Sequence, residues 1–138
     1  MNERDYVMRQ IQQLAQVLAV ILTKFFRIKS TVSVEQAIEF SNEQLKSQVD
    51  IDLDALIQMS KHNMYVYLKE RNMNADQFDA LSEYLFKVGE SMFETHSQIA
   101  ISYLHTALLL HELAEEYSNT LSLDGMHRVQ AIRALLES

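Results

Sequence analysis

The sequence contains no cysteine and no proline, and only two glycines in 138 residues. Without cysteine there can be no disulfide, no thiolate metal ligand and no cysteine nucleophile, which suits a reducing cytoplasm. Average usage would place about seven prolines and ten glycines in a chain of this length. Their depletion removes the residues that break helices and predicts helix almost throughout.

Cations of one kind are missing from a long stretch. From Val88 through His127 there is no lysine or arginine, while Glu90, Glu94, Glu112, Glu115, Glu116 and Asp124 are present. That disfavours nucleic acid as a direct partner, because phosphate contacts need clustered cations. Long apolar runs are missing as well. Val17 to Leu22 is followed by Lys24, Arg27 and Lys29, and falls far short of the ~20 residues that span a bilayer. Glu3 and Asp5 sit among the N-terminal charges, and no small-x-small cleavage site follows the apolar run, which argues against a signal peptide. The expectation is a soluble, cytoplasmic protein with no membrane partner.

The net charge of −7 is unevenly spread. Residues 1–30 carry five Lys/Arg against two Asp/Glu, and residues 31–138 carry seven against seventeen, so the balance passes from +3 to −10. A basic protein or peptide, or a metal cation, matches the acidic part as a partner; an acidic face that merely solubilises the chain is the plainer reading.

The length fits one domain, read here as a single all-helical domain over 1–138 with N-terminal helices in 1–72 and a second helical group in 73–138. The first helix is expected from about Glu3 to Arg27. Val7, Ile11, Leu14, Leu18, Ile21, Phe25 and Ile28 recur at spacings of four and three, the seam of helices packed side by side. Met8, Ala15 and Leu22 add a second apolar line. So wide an apolar surface is either the central helix of its own fold or a self-association face, giving Val7, Ile11, Leu14, Leu18, Ile21 and Phe25 as candidate homodimer residues.

Ser33 with Gln36 reads as a capping box, and Val34, Ile38, Ser41 and Leu45 as the inner face of a second helix ending near Ser47. DIDLD at 50–54 starts like a calcium loop. Ala55 stands where that loop needs glycine and Lys61 where it needs a bidentate glutamate, so these aspartates read as an N-cap and first-turn acids. One or two short helices should end at RNMN. Asn74 with Gln77 caps the next helix, whose apolar line is Phe78, Leu81, Leu85, Val88 and Met92, opposite an acidic stripe from Asp76 to Glu94. Thr95-His96-Ser97 should cap a helix running to about Tyr117. NTLSLDG should lead into a last helix from Gly125 to Leu136, with Met126, Val129, Ile132 and Leu136 inward.

The stretch HSQIAISYLHTALLLHELAEEY (96–117) invites a metal reading. His111 and Glu112 match the first half of HExxH, but Glu115 replaces the second histidine. At about 100° per residue His111 lies about 40° from Glu115, whereas His105 lies about 120° from His111 and His96 about 180° from His105, so the histidines do not converge from one helix. A metal-binding protein or metal-dependent enzyme would need His105, His111, Glu112, Glu115 or Glu116 joined by ligands from other helices. No ExxH occurs for a di-iron bundle, and no GxSxG or phosphate loop is present. His111 shares the innermost line with Ala100, Leu104, Ala107 and Ala114, where a histidine is most often a hydrogen-bonded core residue.

Val88-Gly89 after Leu85, followed by Ala100-x3-Leu104-x2-Ala107, resembles one tetratricopeptide repeat (TPR) unit, a pair of antiparallel helices packed through small residues. The gap from Gly89 to Ala100 is one residue shorter than usual, Leu85 replaces an aromatic, and no proline ends the unit. The whole chain also resembles a small class of bacterial helical proteins whose N-terminus reads like DYVMRQIQQLA (5–15) and whose C-terminal half is TPR-like. No activity is attached to that class. The resemblance implies an all-α fold, a bundle of six to seven helices with a TPR-like C-terminal hairpin, in a bacterial cytoplasm. TPR geometry would turn Glu83, Phe86, Glu90, Phe93 and Glu94 towards a ligand groove, where acids interleaved with aromatics suit a basic or amphipathic peptide. The expected function is a non-catalytic protein- or peptide-binding module that self-associates and needs no cofactor, with the metal reading as the alternative.

Overall fold

Small polar side chains start the helices of this chain. In a computed structural model, Ser33, Ser60, Asn74 and Ser122 each accept a hydrogen bond from the backbone N–H three residues on, at 3.0–3.2 Å. Each bond satisfies one of the donors that a helix N-terminus leaves orphaned. At Asn74 the Gln77 side chain also accepts from the Asn74 N–H at 2.9 Å, completing the box. The structure describes the backbone of residues 3–118 and 122–138, with side chains from Gln13 onward.

The described residues form seven helices and no strand: α1 (Glu3–Thr31), α2 (Val34–Val49), α3 (Leu53–Leu56), α4 (Lys61–Lys69), α5 (Ala75–Met92), α6 (Ser97–Tyr117) and α7 (Leu123–Leu136). The expected all-α helix bundle is observed. α1 outlasts its expected end at Arg27 by a turn. The Ser30 and Thr31 hydroxyls fold back onto the Arg27 carbonyl, at 3.0 and 2.7 Å, instead of opening a loop. Asp50 takes the left-handed conformation (φ 57°) and its N–H bonds the Leu45 carbonyl, so it closes α2. Asp54 does lie in the first turn of α3.

Contacts gather the chain into two compact units, Met1–Asp54 and Ala55–Ser138. In the first, α1 packs on α2. Leu14, Leu18, Ile21 and Phe25 are buried, as are Ala37, Ser41 and Leu45 of α2. Val34 and Ile38, expected on that inner face, are only half-buried. The Ser41 hydroxyl is buried with no hydrogen-bond partner among the described residues.

The second unit is built on the α5–α6 hairpin. Leu81, Leu85 and Val88 of α5 and Ala100, Leu104 and Ala107 of α6 are buried, each large apolar side chain contributing about 1.5–3 kcal/mol against leaving it in water. Small residues set the approach. A methyl group at Gly89 would stand 3.0 Å from Leu104 Cδ2 and 3.3 Å from the Ala100 carbonyl. About two turns earlier, the buried Ser82 hydroxyl donates to the Ala107 carbonyl at 2.7 Å.

α4 belongs with this unit through α6, with Met64 and Leu68 buried and the Tyr65 ring stacked on Tyr117 at 4.4 Å. The sequence reading set the division between residues 72 and 73, which would have grouped α4 with the N-terminal helices. α6 begins without the expected cap. His96 holds the N-cap position but makes no side-chain cap bond; its Nδ1 meets the Thr95 hydroxyl at 2.9 Å.

The face that α7 buries also departs from expectation. Gly125, Arg128 and Ile132 are its buried residues. Met126 is exposed and Val129 and Leu136 are half-buried. Ile132 is buried as expected, but a cation, Arg128, shares its line in place of Met126 and Val129.

Candidate functional site

Arg128 is the centre of the second unit's polar chemistry. Its side chain is only 2% exposed, and it pairs with two carboxylates of α5 one turn apart: Nη1 donates to Glu83 Oε2 at 2.7 Å and Nη2 to Asp79 Oδ1. The i,i+4 spacing of Asp79 and Glu83 places both on the face of α5 that meets α7. The same Nη2 lies 3.3 Å from His111 Nδ1 of α6, whose Nε2 is 2.8 Å from Glu115 Oε1. A guanidinium can only donate, so Nδ1 is the acceptor and Nε2 carries the proton that Glu115 receives. Both ring nitrogens of His111 are thereby used. Gly125 makes room for the arrangement: a methyl group there would stand 3.0 Å from His111 Cε1 and 3.3 Å from Arg128 Nη2. Arg128 Nε remains buried without a partner among the described residues.

This lock forms the floor of a groove of about 610 Å³ between α5 and α7, lined by Asp79, Ala80, Glu83, Phe86, Lys87, Asp124, His127, Arg128 and Ala131. Ser122 at the start of α7 lies with Ala75 and Asp76 at the start of α5, and Arg128 reaches Glu83 further along, so α5 and α7 run in the same direction while α6, packed against both, returns. Of the five residues expected on a ligand-facing surface, Glu83 and Phe86 line this groove. Glu90 is exposed one turn further along α5, Phe93 is half-buried at its C-cap, and Glu94 is exposed just beyond. Glu83 differs from the other acids, because Arg128 and, at 3.8 Å, Lys87 already share its charge.

The candidate self-association residues lie elsewhere. Leu14, Leu18, Ile21 and Phe25 are buried within the single chain, so a second chain cannot reach them as they stand. The side chains of Val7 and Ile11 fall outside the described residues. Among the large apolar residues of α1, Val20 and Phe26 are exposed instead.

The candidate metal ligands on α6 are dispersed. His105 is exposed, away from His111 on the helix circumference. Glu112 and Glu116 face Lys61 of α4, at 3.6 Å for Glu112. The hydrogen bond from Lys61 to Glu116, with the two negative charges nearby, raises the ammonium above its ordinary 10.5. Among the described residues no three histidine or carboxylate side chains are grouped so as to hold a metal ion, and none of the helices is long and apolar enough to cross a membrane.

No protein-family model, curated protein or solved structure matches this chain.

Two features of the site escaped the sequence reading, Arg128 and Lys61. A signal for Arg128 existed. It is the first cation after the span Val88–His127, and it stands one turn after Gly125 and one before Ile132, on a line that proved to be the inner one.

Proposed function

We propose that the protein is a non-catalytic helical binding module of a bacterial cytoplasm, which takes a basic protein or peptide segment along α5 and self-associates. The observation that carries the reading is the α5–α7 groove, with an acidic and aromatic wall continuing onto Glu90, Phe93 and Glu94. Carboxylates along one edge match Lys/Arg, and Phe86 offers apolar area between them. Two helices running the same way side by side, with a returning one packed against both, also suit the TPR-like arrangement, in which such a pair lines the ligand face. The Arg128 lock holds that pair together, so Glu83 is assigned to the fold, and recognition to Glu90, Glu94 and the rings.

The test uses labelled peptides that combine Lys/Arg with aromatic or aliphatic residues, read by fluorescence polarisation against acidic peptides of equal length. Saturable binding that weakens as salt rises is expected, as is a loss of about tenfold or more for the E90K/E94K protein with its helix content unchanged. No saturable binding, or affinity indifferent to E90K/E94K, refutes the reading.

A further inference from the structure

On the other side of α7 a second groove, of about 410 Å³, runs between α7 and α6. Leu108, Glu112 and Glu115 form its α6 wall; Met126, Val129, Gln130 and Arg133 form its α7 wall. Leu123 continues the α7 stripe one turn before Met126, and these two are 73% and 46% exposed. α7 therefore buries one line, Gly125-Arg128-Ile132, and leaves a second apolar line uncovered. The groove is also charged by halves. His111 faces Gly125 and Arg128, so Glu115 lies towards the α7 N-terminus and Leu108 towards its C-terminus. The acids thus sit at the Met126 end, and Arg133, which makes no ion pair among the described residues, sits at the opposite end.

From this we infer that the α6–α7 groove is the self-association surface, and that its occupant is α7 of a second copy of the chain, related by a two-fold axis. The inference rests on the self-association part of the proposed function and names its site. A partner helix filling the groove must bring an apolar stripe, an acid for the Arg133 end, and a cation that joins Lys61 and His111 at the half-exposed Glu112 and Glu115. This chain's own α6–α7 edge has that composition, and a two-fold axis supplies the required order. With α7 antiparallel to its copy and crossing near Val129 and Gln130, Arg133 falls beside the second copy's Met126, at the end where Glu112 and Glu115 stand. The relation is reciprocal, as an isologous interface demands. Val129 and Leu108 lie between the charged ends, where water is excluded and the attraction is least screened. A basic peptide alone would satisfy the acids and leave Arg133 without a counter-charge, which is why a second copy fits better.

The experiment is sedimentation of the full chain over a range of concentrations, with R133E, E112K and an equimolar mixture of the two. Wild type is expected to dimerise. Each variant alone sets like charges against each other at both ends of the two-fold interface and should raise the dimer dissociation constant by about 10- to 100-fold. In the mixture, Glu at 133 of one chain meets Lys at 112 of the other while the natural pair survives at the other end, so heterodimers should re-form. Circular dichroism keeps loss of fold apart from loss of association. A wild-type chain that stays monomeric at every concentration overturns both this surface and the self-association reading. A dimer that R133E leaves intact, or a mixture with no recovery, overturns this surface alone.

Discussion

The Arg128 lock makes an asymmetric prediction about stability. Its three charged members differ in exposure: the guanidinium side chain is 2% exposed, while those of Asp79 and Glu83 are 38% and 37% exposed. Replacing Arg128 by methionine keeps an unbranched chain of similar length in the core and leaves two carboxylates that can turn towards water. Two charge-assisted hydrogen bonds to carboxylates are lost, each worth about 1.5–3 kcal/mol when dry, with the longer one to His111 Nδ1, but solvent already screens the carboxylate ends and reduces that figure. The substitution also removes the buried, unpartnered Nε, which costs the folded state about 1–3 kcal/mol now. R128M should therefore lose only about 1–2 kcal/mol.

The converse change, D79N with E83Q, leaves the guanidinium buried with no counter-charge, and breaking a buried pair from that side costs about 3–5 kcal/mol. At about 3–5 °C per kcal/mol for a chain of this size, the double variant should melt well below R128M when followed by circular dichroism. The triple variant, with methionine added, should recover most of the difference. If R128M proves as damaging as D79N/E83Q, or the triple variant recovers nothing, the burial argument is wrong.

Two further outcomes follow from single side chains. Ser41 buries a hydroxyl unpaired among the described residues in the middle of α2, so Ser41→Ala should stabilise the protein by about 1 kcal/mol through lost desolvation and better helix propensity; a lower melting temperature would mean that the hydroxyl has a partner. Tyr117 is raised above the usual phenol value of 10.0, first by partial desolvation against the Tyr65 ring and then by the charge and hydrogen bond of Tyr65. A raised folded-state value means that its contribution is fully present below pH 10 and is lost as pH rises through that higher value. In an alkaline titration of tyrosinate absorbance, wild type minus Tyr117→Phe should therefore rise above pH 10.0, and a difference centred at or below it would contradict the stacking account.

Elements whose cause is local were readable from the chain. Ser33, Asn74 and their partners three residues on mark helix starts because a cap bond spans a single turn. The innermost line of α6 was readable because Ala100, Leu104, Ala107 and His111 hold one angular sector over three turns. His111 was placed there and is a hydrogen-bonded core residue, but its partner could not be named. That partner, Arg128, is 17 residues away, and the carboxylates that allow Arg128 to be buried lie 45 and 49 residues upstream. Its spacing sets Arg128 on the line of Gly125 and Ile132, but without those distant carboxylates that line has no reason to bury a cation, and hydrophobic periodicity assigns the inner line of α7 to Met126 and Val129.

The same ambiguity explains the first helix. A heptad seam records that a helix is buried against another, not whose helix that is. Leu14, Leu18, Ile21 and Phe25 found cover within the chain, whereas Leu123 and Met126, two residues without a heptad around them, remain uncovered on α7. The uncovered line on α7 traces back to Arg128. Turning the cation inward towards Asp79 and Glu83 fixes the rotation of α7, and that rotation carries Leu123, Met126 and Arg133 to the outside. Disrupting the lock should therefore weaken self-association as well as stability, since a helix free to rotate no longer holds Met126 and Arg133 in register with a second copy. D79N/E83Q, taken at a temperature where it is still folded, should sediment with a higher dimer dissociation constant than wild type although neither position touches the α6–α7 groove. An unchanged constant would show that the orientation of α7 is set by its apolar contacts alone.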